Sequence, residues 1–133
     1  MSEENVDTLR EMVATWNRGD LDAVLEHFHP DCEVAFRPEV PEPGPFRGRE
    51  EFRAWAEGFL QAWGETHTEV REIVARGPDW LLAEYHLTAQ GTGSGLATEL
   101  TWFNLFEFDS GKILRWRDFT ERADALEAAG LSE

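Results

Sequence analysis

Residues 97–120 limit the fold more than any other part of the chain: ATELTWFNLFEF, then DSGK, then ILRWRDFT. Two runs rich in β-branched and aromatic residues flank an Asp-Ser-Gly turn, the pattern of an antiparallel hairpin. The turn sets the register. With Asp109–Gly111 as a type I turn and Gly111 left-handed, Phe108 pairs with Lys112. One face then carries Leu100, Trp102, Asn104 and Phe106 with Leu114, Trp116 and Asp118. The other carries Thr101, Phe103, Leu105 and Glu107 with Ile113, Arg115 and Arg117. A two-residue Ser-Gly turn would shift one strand by a residue and swap its faces. The first register is preferred because it sets Leu114 against Phe106 and brings Glu107 within diagonal reach of Arg115. It leaves one carboxylate and one carboxamide among large apolar side chains.

The rest of the chain supplies what such a hairpin packs on. Val6, Leu9, Val13 and Trp16 recur at helical spacing over 3–17. Asp20 is a natural N-cap for a short helix carrying Leu21, Val24, Leu25 and Phe28, stopped by Pro30. Cys32–Phe36 reads as a strand, and four prolines between 37 and 45 demand a stiff surface loop. Phe52, Trp55, Phe59 and Trp63 form an aromatic stripe on a helix over 50–63, with Gly64 as its C-cap. Strands follow at 67–76 and 80–90 around a Gly-Pro-Asp turn, and Gly91–Gly95 turns the chain into the hairpin. An Ala-rich helix over 121–129 ends at Gly130. The order predicts a single α+β domain over 1–133, with helices on one side of a curved antiparallel sheet.

Charge narrows the function. Twelve basic against 27 acidic residues give a net charge of −15, a surface that repels phosphate backbones and anionic membranes. No nucleic-acid or membrane partner is expected. Six Trp and a 41% hydrophobic fraction still provide a folded core. One cysteine, Cys32, gives no internal disulfide framework. With no signal-peptide pattern or long apolar run, a cytoplasmic location is expected.

Asp118 is the first candidate for chemistry, as a general acid or base among apolar groups. The alternative is a structural ion pair with Arg115, Arg117 or Arg122. His86 alternates with Glu84 and Thr88 on its strand and is a second candidate, orienting a water or substrate in the same cavity; a half-exposed strand histidine is the alternative. Asn104, central in an apolar face, needs a partner if buried: a ligand oxygen or another side chain. His27 and His29 lie two apart and diverge on a helix, so no metal site is expected. No Walker loop, GxGxxG or GxSxG motif occurs, and no cofactor is expected.

Trp16-Asn17-Arg18-Gly19-Asp20-Leu21-Asp22-Ala23-Val24-Leu25, Pro45-Phe46-Arg47-Gly48-Arg49-Glu50 and Gly111-Lys112-Ile113 together resemble the SnoaL-like branch of the nuclear transport factor 2-like superfamily. The likeness runs through nearly the whole chain. It implies a cone: a strongly bent mixed or antiparallel sheet wrapped around N-terminal helices, with an apolar cavity at its mouth. Its walls would draw on Met12, Trp16, Phe36, Trp55, Phe59, Leu100, Trp102, Asn104 and Trp116. Trp116-Arg117-Asp118-Phe119 is similar to the segment that supplies a catalytic Asp in limonene epoxide hydrolases, matching Asp118. Their Arg-x-Asp would fall near His86-Leu87-Thr88, where neither residue is kept. Of the ketosteroid isomerase residues, the base would match Phe36, the oxyanion Tyr Met12 and the oxyanion Asp Asn104. SnoaL-type polyketide cyclases use an Asp in the region of Asp118.

The expected function is a small-molecule-binding protein with an apolar pocket, acting as a metal-free acid/base enzyme of cyclase, isomerase or hydrolase type on a hydrophobic substrate. Asp118 would be the acid or base, with His86 and Asn104 positioning. The competing reading is a non-catalytic ligand-binding or dimerisation domain. Phe103 and Leu105, on the hairpin's second face, have no obvious helix to cover them. A homodimer through that sheet face is therefore expected, as the resemblance also implies.

Overall fold

The computed structural model describes residues 3–36, 43–63, 65–90 and 97–130. Among these residues four helices, α1 (Glu3–Asn17), α2 (Leu21–Glu26), α3 (Gly48–Trp63) and α4 (Arg122–Ala128), accompany one sheet. Its strands are β1 (Phe28–Ala35), β2 (Phe46–Arg47), β3 (Glu65–Arg76), β4 (Trp80–Gln90), β5 (Ala97–Asp109) and β6 (Lys112–Phe119), in the order β2-β1-β6-β5-β4-β3. The β1–β6 pair is parallel and the rest antiparallel, so the sheet is mixed. The architecture is α+β, a curved sheet around the N-terminal helices. Most of the Pro-rich segment, Gly64 as a cap and the Gly91–Gly95 turn lie outside the described residues. No helix among the described residues is long and apolar enough to cross a membrane.

The elements follow from local chemistry. Asp20 caps α2 by accepting from the Ala23 amide at 3.2 Å. Leu9, Met12 and Val13 turn the apolar stripe of α1 onto the sheet. At the end of α1, Asn17 donates to the Thr68 carbonyl at 2.9 Å and accepts from the Thr68 amide at 2.8 Å. Because β3 is an edge strand, this carboxamide satisfies backbone groups that the sheet leaves open. β1 begins earlier than expected and runs through Pro30, where the pairing with β6 shifts register between Phe28 and Glu33. An irregular stretch tolerates the missing N–H.

Two expectations are corrected. The hairpin turn is the tighter one: Asp109 pairs with Lys112, and Ser110 and Gly111 both take positive φ, 55° and 78°. That is the type I′ geometry, whose twist matches the strands it joins. A bulge at Leu114 then shifts the pairing, so Glu107 faces Arg115, Phe106 faces Trp116 and Asn104 faces Asp118. Ile113, not Leu114, is the fully buried residue. The helices also do not all lie on one side. The short helix α4 packs against the convex face, where Ala125, Leu126 and Ala129 bury Leu82 and Leu105, with Phe103 and Phe119 partly covered. Leu105 is 1% exposed in a single chain. The premise that nothing covers this face does not hold.

Candidate functional site

The concave face of the sheet and the helices enclose a cavity of about 690 Å³. From the helices come Met12, Val13 and Trp16 of α1 and Trp55 and Phe59 of α3; Phe36 follows the end of β1. The sheet contributes Thr68, Tyr85, Leu87, Leu100, Trp102, Asn104, Trp116 and Asp118. Alternation explains the choice: Tyr85 and Leu87 of β4 share the inward face with Leu100, Trp102 and Asn104 of β5 through the pairs Tyr85–Trp102 and Leu87–Leu100. The aromatic stripe of α3 divides. Phe52 is fully buried in the core, whereas Trp55 and Phe59 reach the cavity. Phe36 stacks on Trp55 with ring centroids 4.3 Å apart and meets Trp116 edge-on at 5.8 Å. Its backbone amide is held by the Pro43 carbonyl at 2.8 Å.

Among the described lining residues Asp118 is the one carboxylic acid, and it is 6% exposed. It stands directly across from Asn104, which is 0% exposed. The arginines considered as structural partners are engaged elsewhere: Arg115 with Glu107 at 3.3 Å, Arg122 with Glu72 at 3.1 Å, and Arg117 over the ring of Phe119. Strand alternation puts Arg115 and Arg117 on the face opposite Asp118. Asn104 accepts a hydrogen bond from the Trp116 indole at 2.8 Å. Tyr85, 6% exposed, has its phenol pushed well above its ordinary range by burial, so it is neutral and able to donate at physiological pH.

His86 does not reach this cavity. It pairs with Thr101 on the outward face, its Nδ1 3.4 Å from Thr101 Oγ1 and its Nε2 3.6 Å from Glu99 Oε1. A strand residue one position from Tyr85 must point to the other side of the sheet. The expectation of a second catalytic group there is corrected. His29 lies in β1 with its Nε2 3.2 Å from Asp109 Oδ2. Among the described residues no group of three or more His, Cys, Asp or Glu is placed to hold a metal ion. Tyr85 is the functional candidate that sequence reasoning missed. Its alternation with His86 was visible, but only the pairing with β5 assigns it to the inside.

A family model for the SnoaL-like domain matches residues 9–116. The chain belongs to the SnoaL-like family. An uncharacterised PhzA/B-like protein of Pseudomonas aeruginosa is 30% identical over 115 residues, 84% of this chain and 80% of its own length. Among solved structures, a nuclear transport factor 2-like protein from Burkholderia pseudomallei superimposes with a TM-score of 0.80 at 20% identity, covering 96% of this chain and 97% of that one. A candidate SnoaL-like polyketide cyclase from Jannaschia sp. CCS1 gives 0.77 at 19% identity, covering 100% and 98%. At those identities the two structures establish the shared fold of this SnoaL-like chain.

Proposed function

We propose that this SnoaL-like domain takes a small hydrophobic molecule into its cavity and transfers a proton to or from it, with Asp118 as the acid or base. The observation that carries the reading is a single buried carboxyl on a wall built mainly of indole, phenyl and aliphatic groups. Such a cavity binds through apolar area and orients its ligand through a few polar groups. A carboxyl sheltered from water is placed for general acid/base catalysis. Membership of a family that includes polyketide cyclases supports this, and so does the likeness to a polyketide cyclase candidate. Cyclase-type proton transfer is favoured over epoxide opening, because His86-Leu87-Thr88 lacks the Arg-x-Asp that the hydrolases carry, and over ketosteroid isomerisation, because Phe36, Met12 and Asn104 stand where those enzymes carry their base and oxyanion residues.

The test begins with a thermal-shift screen of terpenoid and polyketide-like compounds bearing carbonyl, epoxide or hydroxyl groups. A ligand raises the melting temperature as its concentration exceeds its dissociation constant. For a compound that is turned over, Asp118→Asn keeps the shape and removes the titratable group. It should fold normally and lose about a hundredfold or more in turnover. Equal turnover by both proteins would remove Asp118 from the reaction. Tight binding with no conversion of any ligand by the wild type would favour the binding-module reading.

A further inference from the structure

Among the described residues of the cavity wall, Ala54 and Gly58 alone are exposed to solvent, and they lie one turn apart on α3. The cavity therefore opens to solvent along this side of α3. Gly58 stands inside a helix of 16 residues, where glycine is among the least favourable residues. Neither usual reason for a glycine applies. Its φ is not positive, and a Cβ built on it would meet no atom within 4 Å. Neither the backbone nor a packed neighbour among the described residues requires the missing side chain. Its absence leaves a gap at the rim. Beside that gap the wall is bulky: the ring of Phe59 lies 5.2 Å from that of Trp55 and 5.8 Å from that of Trp16 on α1, centroid to centroid.

We propose that Gly58 marks the entrance of the cavity and limits the girth of what passes, so that the ligand enters and leaves over its bare backbone. This rests on reading the cavity as a small-molecule site and adds the route by which the molecule reaches it. The other described lining residues apart from Ala54 are buried or half-buried between α1, α3 and the sheet, which leaves them no open path of their own. A side chain at position 58 would project from an exposed point of the rim with nothing to pack on, and would stand in the opening. The rim there is apolar, with Ala54, Trp55 and Phe59 as neighbours, so it sorts uncharged molecules by size. A portal and a binding wall differ in kinetics. A group that narrows only the passage raises the barrier to entry and to exit alike, so both rates fall and their ratio, the dissociation constant, stays. A group that shapes the bound site changes that ratio.

The probe is N-phenylnaphthylamine, an uncharged fluorophore whose emission rises in apolar surroundings, with entry followed by stopped-flow mixing and exit by dilution. Gly58→Ala should raise the melting temperature by roughly 3–5 °C through helix propensity and leave both rates near wild type. Gly58→Phe should slow entry and exit together, each roughly tenfold, with the dissociation constant unchanged. If the Phe variant does not fold, Gly58→Leu, a stronger helix former, carries the same test. Glu57→Phe adds the same ring at an exposed position that does not line the cavity, about 100° around the helix from Gly58, and should leave both rates unchanged. Wild-type rates in Gly58→Phe would overturn the portal, and so would equal slowing in Glu57→Phe. A changed dissociation constant at an unchanged entry rate would make Gly58 part of the binding wall and also overturn it. Each of these results leaves the cavity reading standing. Failure of wild type to bind the probe would overturn the cavity reading and the portal with it.

Discussion

Removing the Tyr85 hydroxyl should make the ligand-free protein more stable, and the gain should grow with alkalinity. The hydroxyl is buried and has no hydrogen-bond partner among the described residues. An unpaired buried polar group costs about 1–3 kcal/mol; the low end applies here, because removing the oxygen also forfeits its packing contacts. Tyr85→Phe should therefore gain about 1 kcal/mol at pH 8, or roughly 3–5 °C in Tm for a chain of this size. Burial raises the folded-state pKa of Tyr85. Above about pH 10 the unfolded chain releases the phenolic proton while the folded chain keeps it. The folded state then binds more protons, so wild-type stability falls with rising pH by about 1.4 kcal/mol per unit. Tyr85→Phe lacks that slope, and its advantage should reach about 2 kcal/mol at pH 11. The Cys32 thiol is also raised by burial and adds its own alkaline loss, but it does so in both proteins and cancels. Urea denaturation at pH 8, 10 and 11 measures the difference. A variant less stable than wild type at pH 8 would mean that the hydroxyl has a partner. Parallel alkaline slopes would mean that the phenol ionises normally in the folded state.

His86→Ala should leave ligand binding and turnover unchanged and shift stability by no more than about 0.5 kcal/mol, because its side chain meets Thr101 and Glu99 on the outer face; a large loss of turnover would contradict that placement. Leu126→Ala should cost about 2–4 kcal/mol in chemical denaturation by undocking α4 from Leu82 and Leu105, and a loss below 1 kcal/mol would mean that α4 contributes little. We propose a homodimer through the sheet's outer face, now resting on the partly exposed Trp80, Phe103 and Phe119 rather than on Leu105. Light scattering at micromolar concentration should give twice the chain mass, and a monomer would reject it.

The fold was legible because its signals are local and agree with one another. Helical spacing marked α1 and α3, Asp20 marked the start of α2, and Gly-Pro-Asp marked the β3–β4 turn. The destination of α4 was not legible. Ala125, Leu126 and Ala129 read as a helix face, but which surface they meet depends on Leu82 of β4 and Leu105 of β5, far back in the chain. The site was half legible. Asp118, Asn104 and the aromatic wall stood out as polar groups among large apolar ones. His86 drew attention by its chemistry and Tyr85 did not, although the two are neighbours on one strand. Alternation says that they face opposite ways, and only the partner strand says which way is in.

The hairpin shows how a local error can leave a site intact. Ile113 and Leu114 are both apolar, so the binary pattern does not say which one faces the core, and the bulge hides between them. A two-residue turn with regular pairing would have carried Trp116 and Asp118 outward and brought Arg115 and Arg117 into the cavity. The extra residue at Leu114 reverses that parity, returning Trp116 and Asp118 to the inside. Turn and bulge together also slide the pairing by two residues from the expected register. Asp118 then faces the Asn104 carboxamide rather than the Trp102 indole, and Trp116 faces Phe106 while its N–H reaches Asn104. The bulge thus does two things for the site. It keeps the acid in the cavity, and it sets the acid across from the Asn104 carboxamide that the Trp116 indole holds.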